Sequence, residues 1–176
     1  MKSGKSAEFL AQTQPFEHAN KDVLFIHPDK NTREEGIKSR LGIEVAAITV
    51  GSLKEVNQPF DVIGVDEIHM LPEDDADMIE QWRRQEKHIV ISGLDIDYRR
   101  QMFPIVRRLL ELKPDKHIEM TAFCDVCHDD SRNAQFTQML DLNGNLVLGG
   151  LDSITIDDGG VEYQARCFDC YKTEEE

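Results

Sequence analysis

Four cysteines occur as two closely spaced pairs that could bind a metal ion. Cys124 and Cys127 form one Cys-x-x-Cys pair, and Cys167 and Cys170 form the other. The two-residue gap lets both thiolates of a pair turn onto one ion, and two pairs supply the tetrahedral four-sulfur set that suits Zn²⁺. Two redox-active pairs or four unrelated buried thiols are the alternatives. The spacing predicts a zinc site, and the ion would hold together the two ends of the long loop between the pairs.

The N-terminus carries the second half of a phosphate-binding loop. Gly4, Lys5 and Ser6 precede the helix-compatible stretch Ala7–Leu10. In a Walker A loop a glycine permits the tight turn, backbone N–H groups and the lysine hold phosphate oxygens, and the hydroxyl binds Mg²⁺. The alternative is an ordinary flexible N-terminus. A full loop needs a preceding strand and an earlier glycine, so we expect the natural chain to start about a dozen residues or more before Met1.

An acidic pair follows an apolar strand candidate. Val62–Val65 is apolar and is followed at once by Asp66 and Glu67, the form of a Walker B segment. In such a segment the aspartate joins the Mg²⁺ shell and the glutamate can act on a nucleophile. A parallel sheet places ligands at the carboxyl ends of its strands, where this pair would lie. A solvated turn is the alternative for the pair taken alone.

Composition limits the classes of function. The 176 residues carry 20 Lys plus Arg against 34 Asp plus Glu, a formal net charge of −14. This balance disfavours non-specific nucleic-acid binding, which needs clustered basic residues. No apolar run is long enough to span a membrane, and the first residues lack the apolar core of a signal peptide. We therefore predict a cytoplasmic protein with no membrane partner.

Apolar runs alternate with helical patterns along the first two thirds of the chain. The strand candidates are residues 23–26, 44–50, 60–65, 88–91 and 118–123, and the helix candidates are 6–13, 74–87 and 102–112. Strands that are apolar on both faces and separated by helices predict an α/β fold with a mostly parallel sheet covered by helices. After residue 123 the pattern changes to cysteine pairs, Gly and Asn. We expect a core at residues 1–122 and a zinc-binding subdomain at 123–176.

The order of these features resembles the thymidine kinase family of the zinc-containing, lasso-loop type. Gly93-Leu94-Asp95, followed by Tyr98 and Phe103, looks like the family's Gly-Leu-Asp-x-x-Phe-x-x-x-x-Phe pattern. Tyr163, four residues before Cys167, resembles the family's tyrosine before a zinc cysteine. The resemblance covers nearly the whole chain and implies a P-loop, RecA-like core with a C-terminal zinc-binding lasso.

The resemblance also implies a reaction and a role for each motif residue. Members of the family phosphorylate thymidine or deoxyuridine at the 5′-hydroxyl with ATP, giving dTMP in nucleotide salvage. By resemblance Glu67 is the catalytic base; Gly4, Lys5, Ser6, Arg33 and Asp66 bind ATP and Mg²⁺; Met70, Leu94, Tyr98, Phe103 and Tyr163 bind the nucleoside; and Cys124, Cys127, Cys167 and Cys170 hold a structural Zn²⁺. A homo-oligomer, a tetramer in the family, is implied as well.

Several positions depart from the family pattern. Asn31 stands where Asp is usual, His69 where Gln is usual, and Met70 where an aromatic residue is usual. Ala134 and Phe136 replace a frequent Thr and Arg. We interpret His69 as a pocket or surface substitute for the glutamine rather than as a metal ligand or catalytic group. These departures put the preferred nucleoside and full activity in question.

Two alternatives to an active kinase stay open from sequence. One is a non-catalytic nucleotide-binding homologue of the same fold, and the other is a zinc-ribbon module fused to a P-loop ATPase. The second would hydrolyse ATP without any nucleoside. Glu67 favours the kinase, because a homologue without turnover needs no base at that position.

Overall fold

A computed structural model describes residues 3–31, 36–38, 42–129, 132–149 and 160–173. The helices are α1 (Lys5–His18), α2 (Ala76–Arg84) and α3 (Pro104–Glu111). The strands are β1 (Val23–Pro28), β2 (Ile37–Lys38), β3 (Glu44–Val45), β4 (Ile48–Val50), β5 (Val62–Val65), β6 (His88–Ile91), β7 (Ala122–Phe123), β8 (Asn133–Ala134), β9 (Phe136–Asp141) and β10 (Val161–Arg166). Short 3-10 turns occupy Leu53–Glu55, Ile68–Met70 and Glu73–Asp75.

The chain folds into two compact units. The first, called the core unit, comprises Gly4–Asp95 and Phe103–Lys116. The second, called the cysteine unit, comprises Met1–Ser3, Ile96–Met102 and His117–Glu176. The functional boundary expected near residue 123 stays a prediction.

The core unit is built on a four-stranded parallel sheet with strand order β4-β1-β5-β6. Val23 of β1 pairs with Val62 of β5, and Val65 of β5 pairs with Ile91 of β6. Parallel neighbours require crossover connections, and α2 provides the one between β5 and β6. The α/β class and the mostly parallel sheet predicted from sequence are confirmed.

Alternating residues of β5 show that helices cover both faces of this sheet. Ile63 and Val65 are buried in one cluster with Ile79 and Trp82 of α2. Gly64, between them, faces the ring of Phe9 from α1. Because successive strand residues point to opposite faces, α1 and α2 lie on opposite sides of the sheet. The sheet is therefore buried on both faces, as its continuous apolar strands require.

Helix α1 is longer than the sequence predicts. We expected a helix over residues 6–13 ended by Pro15, but α1 runs through Pro15 to His18. Proline removes one helical hydrogen bond. The next residue, Phe16, packs against His88 of β6 with ring centroids 4.1 Å apart, so tertiary packing holds the last turn in place.

The cysteine unit is assembled from antiparallel pairs. β9 pairs with β10 over six residues each, and β7 pairs with β8. The strand predicted over residues 118–123 is confined to β7, because only that part has a partner strand. Among the residues that the structure describes, no helix has the length and apolar character needed to cross a bilayer.

Candidate active site

The N-terminus of α1 places three of the predicted phosphate-binding residues together. Gly4 caps the helix with a left-handed backbone (φ 84°), and its carbonyl accepts hydrogen bonds from the amides of Ala7 and Glu8. Glycine adopts this conformation without strain. Lys5 and Ser6 then form the first turn, where free N–H groups and the helix dipole favour an anion.

The carboxyl end of β5 positions Asp66 and Glu67. The amide of Asp66 donates to the carbonyl of Ile26 in β1, and the amide of Ile68 donates to the carbonyl of Ser92 just after β6. Glu67 itself adopts a left-handed backbone (φ 49°). A non-glycine residue held there stores strain, which is common at functional sites. The turn after β5 is thus fixed by both neighbouring strands.

Lys5 joins the helix terminus to the acidic pair. Its Nζ donates to Asp66 Oδ1 at 3.1 Å, to Glu67 Oε1 at 2.8 Å and to Ser92 Oγ at 3.2 Å. Asp66 Oδ1 also accepts the amide of Glu67 at 3.0 Å. The two motifs that sequence analysis found more than fifty residues apart therefore meet at one point of the sheet edge.

The electrostatics of this cluster favour the charged forms of Lys5 and Glu67. Burial would lower the pKa of Lys5, but the charges of Glu67 and Asp66 outweigh it and raise that pKa above its usual value. Burial would likewise raise the pKa of Glu67, but the ammonium of Lys5 outweighs it and holds that pKa below its usual value. Glu67 is therefore ionised at neutral pH and can accept a proton.

Gly64 allows α1 to approach the sheet closely enough for these contacts. A Cβ at Gly64 would lie 2.8 Å from the ring of Phe9 and 2.9 Å from the ring of Phe25. Those two rings meet edge to face, with centroids 6.1 Å apart. The absence of a side chain at Gly64 thus determines how closely α1 packs on the sheet, and this distance allows Lys5 to contact Asp66 and Glu67.

His69 is a buried residue of the same edge. Its side chain is 4% exposed, and its Nδ1 accepts the amide of Leu94 at 3.3 Å. The Nδ1 atom also lies 3.4 Å from Glu67 Oε2, and the ring packs 4.8 Å from that of Phe103. Burial, the largest effect, lowers the pKa of His69 to about 4. The imidazole is therefore neutral at pH 7.

The predicted nucleoside residues are divided between the two units. In the core unit, Leu94 and Phe103 lie beside His69, and Met70 ends the 3-10 turn that carries His69. In the cysteine unit, Tyr98 is buried with Met139 and Val161, and Tyr163 packs against that cluster. The predicted phosphate ligand Arg33 lies outside the described residues.

Sequence analysis gave no role to Ser92, although it contacts Lys5. Ser92 directly follows β6, whose neighbour in the sheet is β5. A polar residue at the end of a strand adjacent to the acidic strand is the signal that would have found it, because parallel strand ends share one edge.

The four cysteines of the cysteine unit form a single cluster. Their sulfurs all lie within 4.8 Å of one another, and the Cys127 and Cys167 sulfurs are 3.8 Å apart. A tetrahedral zinc site has Zn–S bonds of about 2.3 Å, which places its sulfurs about 3.8 Å apart. The cluster therefore fits a metal such as zinc.

Local hydrogen bonding favours a thiolate at one of the four cysteines. Burial would raise the pKa of Cys124, but backbone N–H groups that include the amide of Cys127 overcome it and lower that pKa to about 6. Two hydrogen bonds also connect the segments that carry the two Cys-x-x-Cys pairs. The Asp125 amide donates to the Ala165 carbonyl, and the Ala165 amide donates to the Asp125 carboxylate. The fold thus favours a thiolate at Cys124, whereas hydrogen bonding with the Cys167 sulfur raises the pKa of Cys170 to about 12. Binding of a cation would therefore release protons from the cluster.

The sheet, the lysine at a helix N-terminus and the acidic pair at a strand end define an α/β phosphoryl-transfer protein, here with a four-cysteine cluster. The family model for thymidine kinase matches residues 1–171. The chain belongs to the thymidine kinase family, which confirms the resemblance found in the sequence.

Similarity to individual thymidine kinases extends over nearly the whole chain. The enzyme of Chloroflexus aurantiacus is 29% identical over 186 aligned residues, covering 98% of this chain and 90% of that protein. The enzyme of Mycoplasma capricolum is 30% identical, with coverages of 97% and 84%. The enzyme of Coprothermobacter proteolyticus is 31% identical, with coverages of 95% and 84%.

Proposed function

We propose that this chain transfers the γ-phosphoryl group of ATP to the 5′-hydroxyl of thymidine or deoxyuridine, so that thymidine becomes dTMP in nucleotide salvage. The contact of Lys5 with both Asp66 and Glu67 is the observation that carries the proposal. It brings a cationic phosphate ligand and two carboxylates together at the sheet edge where α/β proteins bind ligands. Membership of the thymidine kinase family supports the choice of substrate.

The helix N-terminus binds the triphosphate. The first-turn amides after Gly4 and the Lys5 ammonium face the edge where the phosphates would lie, and Arg33 is assigned to them by resemblance alone. Phosphoryl transfer depends mainly on positioning and charge neutralisation, which these groups provide. When phosphate oxygens arrive, they compete with Asp66 and Glu67 for the donors of Lys5.

Glu67 acts as the general base. Its carboxylate is ionised at neutral pH, and the left-handed backbone of Glu67 together with the Lys5 contact fixes its position. A carboxylate in hydrogen-bond reach of the nucleoside can remove the 5′-hydroxyl proton as the new P–O bond forms. The proton then resides on Glu67 and passes to solvent after the product leaves.

The residues at this edge suit Mg²⁺. The site offers hard oxygen donors, and an excess of negative charge exists because Asp66 and Glu67 face a single ammonium. Mg²⁺ prefers carboxylate, hydroxyl and phosphate oxygens, and Asp66 and Ser6 are the groups that would hold it. When bound, the ion neutralises charge on the transferring phosphoryl group.

Further assignments of this proposal follow from the resemblance. Met70, Leu94, Tyr98, Phe103 and Tyr163 bind the nucleoside. Zn²⁺ on the four cysteines is structural, and the enzyme is a homotetramer. Two further parts of the proposal rest on the sequence pattern instead: the enzyme is cytoplasmic, and the boundary between the kinase core and the zinc-binding subdomain lies near residue 123.

A transfer assay tests the function. Purified protein is incubated with γ-labelled ATP, Mg²⁺ and each of the deoxynucleosides, and label on the nucleoside is measured. We expect transfer to thymidine or deoxyuridine. The Glu67→Gln variant should lose transfer and keep ATP binding, because an amide cannot accept the proton. Glu17→Gln, an exposed change on α1, is the matched control and should retain activity.

The outcomes separate the competing functions. ATP binding without label on any nucleoside would favour the non-catalytic homologue. ATP hydrolysis that ignores added nucleoside would favour a P-loop ATPase. Transfer that persists unchanged in Glu67→Gln would remove the glutamate from the role of base and leave the kinase activity standing.

A further inference from the structure

The tautomer of His69 is determined by a backbone group. The Leu94 amide donates to Nδ1 at 3.3 Å, and an amide cannot exchange its donor role for an acceptor role. Glu67 Oε2 lies 3.4 Å from Nδ1 but forms only an ion-pair contact with it, not a hydrogen bond. A proton on Nδ1 would therefore lie against the Leu94 N–H. The neutral ring therefore carries its proton on Nε2.

Close packing prevents His69 from moving away from this contact. A Cβ at Gly93 would lie 3.4 Å from His69 Nδ1 and 2.8 Å from the side chain of Ile68, so the absence of a side chain at Gly93 allows the approach. On its other side the imidazole packs against the ring of Phe103. The ring is thus held by backbone on one edge and an aromatic face on another.

The remaining nitrogen is an unused donor. Within the described residues Nε2 makes no hydrogen bond. The unpartnered side-chain atoms that are fully shielded from solvent are His27 Nδ1, Gln138 Nε2 and Arg166 Nε. His69 Nε2 is not one of them, so part of its surface stays accessible. A buried imidazole whose N–H donor keeps some accessible surface is suited to a ligand that brings a hydrogen-bond acceptor.

We propose that His69 positions the nucleoside by donating a hydrogen bond from Nε2–H to a carbonyl oxygen of the pyrimidine base. This inference rests on the proposed kinase function. His69 links the contact with Glu67 to Leu94 and Phe103, two residues assigned to the base pocket. A flat ring wall beside a single N–H donor suits a planar base that carries carbonyl acceptors. The hydrogen bond would fix the distance between the nucleoside and Glu67.

Two variants separate this role from a purely structural one. In His69→Gln the side-chain amide nitrogen can replace the Nε2 donor, whereas in His69→Asn the amide oxygen can replace the Nδ1 acceptor that receives the Leu94 N–H. We expect kcat/KM for thymidine to fall about tenfold in His69→Asn, mainly through KM, and to be largely preserved in His69→Gln. The KM for ATP should not change in either variant. If His69 serves only to bind Leu94, the ranking reverses, and that result overturns the proposal.

Nucleoside analogues identify the acceptor. 2-Thiothymidine and 4-thiothymidine each replace one base carbonyl by a weaker acceptor, and 3′-deoxythymidine removes a sugar hydroxyl. We expect wild type to discriminate against one thio analogue and His69→Asn to lose that discrimination. The proposal is overturned if the ratio of kcat/KM for thymidine to kcat/KM for each thio analogue is the same in wild type and His69→Asn. It is also overturned if the two proteins differ only in their discrimination against 3′-deoxythymidine.

Calorimetry with thymidine measures the same differences without turnover, and thermal unfolding confirms that both variants fold. Absence of transfer and of thymidine binding in wild type would overturn the proposed function together with this inference. Active wild type with equivalent Gln and Asn variants would overturn the inference alone.

Discussion

Burial of a neutral imidazole at position 69 makes the protein sensitive to mild acid. The perturbation is His69→Gln, which keeps a polar side chain but removes the titrating ring. In the folded protein burial lowers the pKa of His69 from 6.5 to about 4. As the pH falls below the ordinary value, unfolded chains bind a proton that folded chains do not, so stability is lost between those two values.

The size of the effect follows from the two pKa values. The difference between the ordinary and the folded-state pKa of His69 corresponds to a loss of about 3 kcal/mol in the free energy of unfolding. This full loss is reached only at a pH below the folded-state pKa. Between about pH 7.5 and about pH 5.5, the wild type should lose about 1.3 kcal/mol more than His69→Gln. Every other residue is the same in both proteins, so the difference between them isolates His69.

Urea unfolding at both pH values measures this difference, with bound zinc determined in each sample. His117→Gln is the control, because His117 is exposed in the cysteine unit, and it should follow the wild-type pH dependence. Equal pH dependence of wild type and His69→Gln would refute the reasoning. It would mean that His69 is not desolvated as its packing against Phe103 and Leu94 requires.

Two further predictions concern packing and metal binding. Gly64→Ala should lower the free energy of unfolding by about 1–3 kcal/mol, because the new methyl group meets the rings of Phe9 and Phe25. The control in urea unfolding is Gly149→Ala, where a Cβ would meet no atom of the described residues within 4 Å. Equal losses in the two variants would contradict the close approach of α1. Cys124→Ser should no longer bind zinc stoichiometrically, because it lacks one of the four thiolate ligands, whereas the control Asp169→Asn should retain about one ion per chain. Metal analysis of freshly purified protein measures both. The absence of zinc from freshly purified, unchelated wild type would refute the four-cysteine site.

Continuous apolar runs were sufficient to predict the parallel sheet. The segments that become β1, β5 and β6 are apolar on both faces, and the structure buries both faces under helices. The site residues placed at the end of β5 could be predicted for the same reason, since any residue after a parallel strand lies at one shared edge.

The segment over residues 44–50 shows where periodicity fails. It was predicted as one strand, but β3 pairs antiparallel with β2, whereas β4 pairs parallel with β1. The two halves belong to different sheets, and the chain breaks between them at residues 46–47. Only tertiary pairing determines that break, and no local pattern signals it.

The details of the site could not be read from residue types because they depend on distances between distant segments. The motifs assigned Lys5 to phosphate, but its contacts with Asp66, Glu67 and Ser92 follow from the height of α1 above Gly64. The assignment of His69 as a substitute for glutamine gave no tautomer, since the tautomer depends on the Leu94 amide.

The charges in the site explain why its residues depend on one another. Asp66 and Glu67 contribute two negative charges, Lys5 contributes one positive charge, and His69 is neutral at pH 7. A triphosphate alone would add like charge to an already negative edge. In the proposed mechanism, a divalent cation that arrives with the nucleotide would offset part of this negative charge and leave Lys5 free to turn from the carboxylates to phosphate oxygens. Charge compensation would therefore couple nucleotide binding to the release of Glu67, the group proposed to accept the proton.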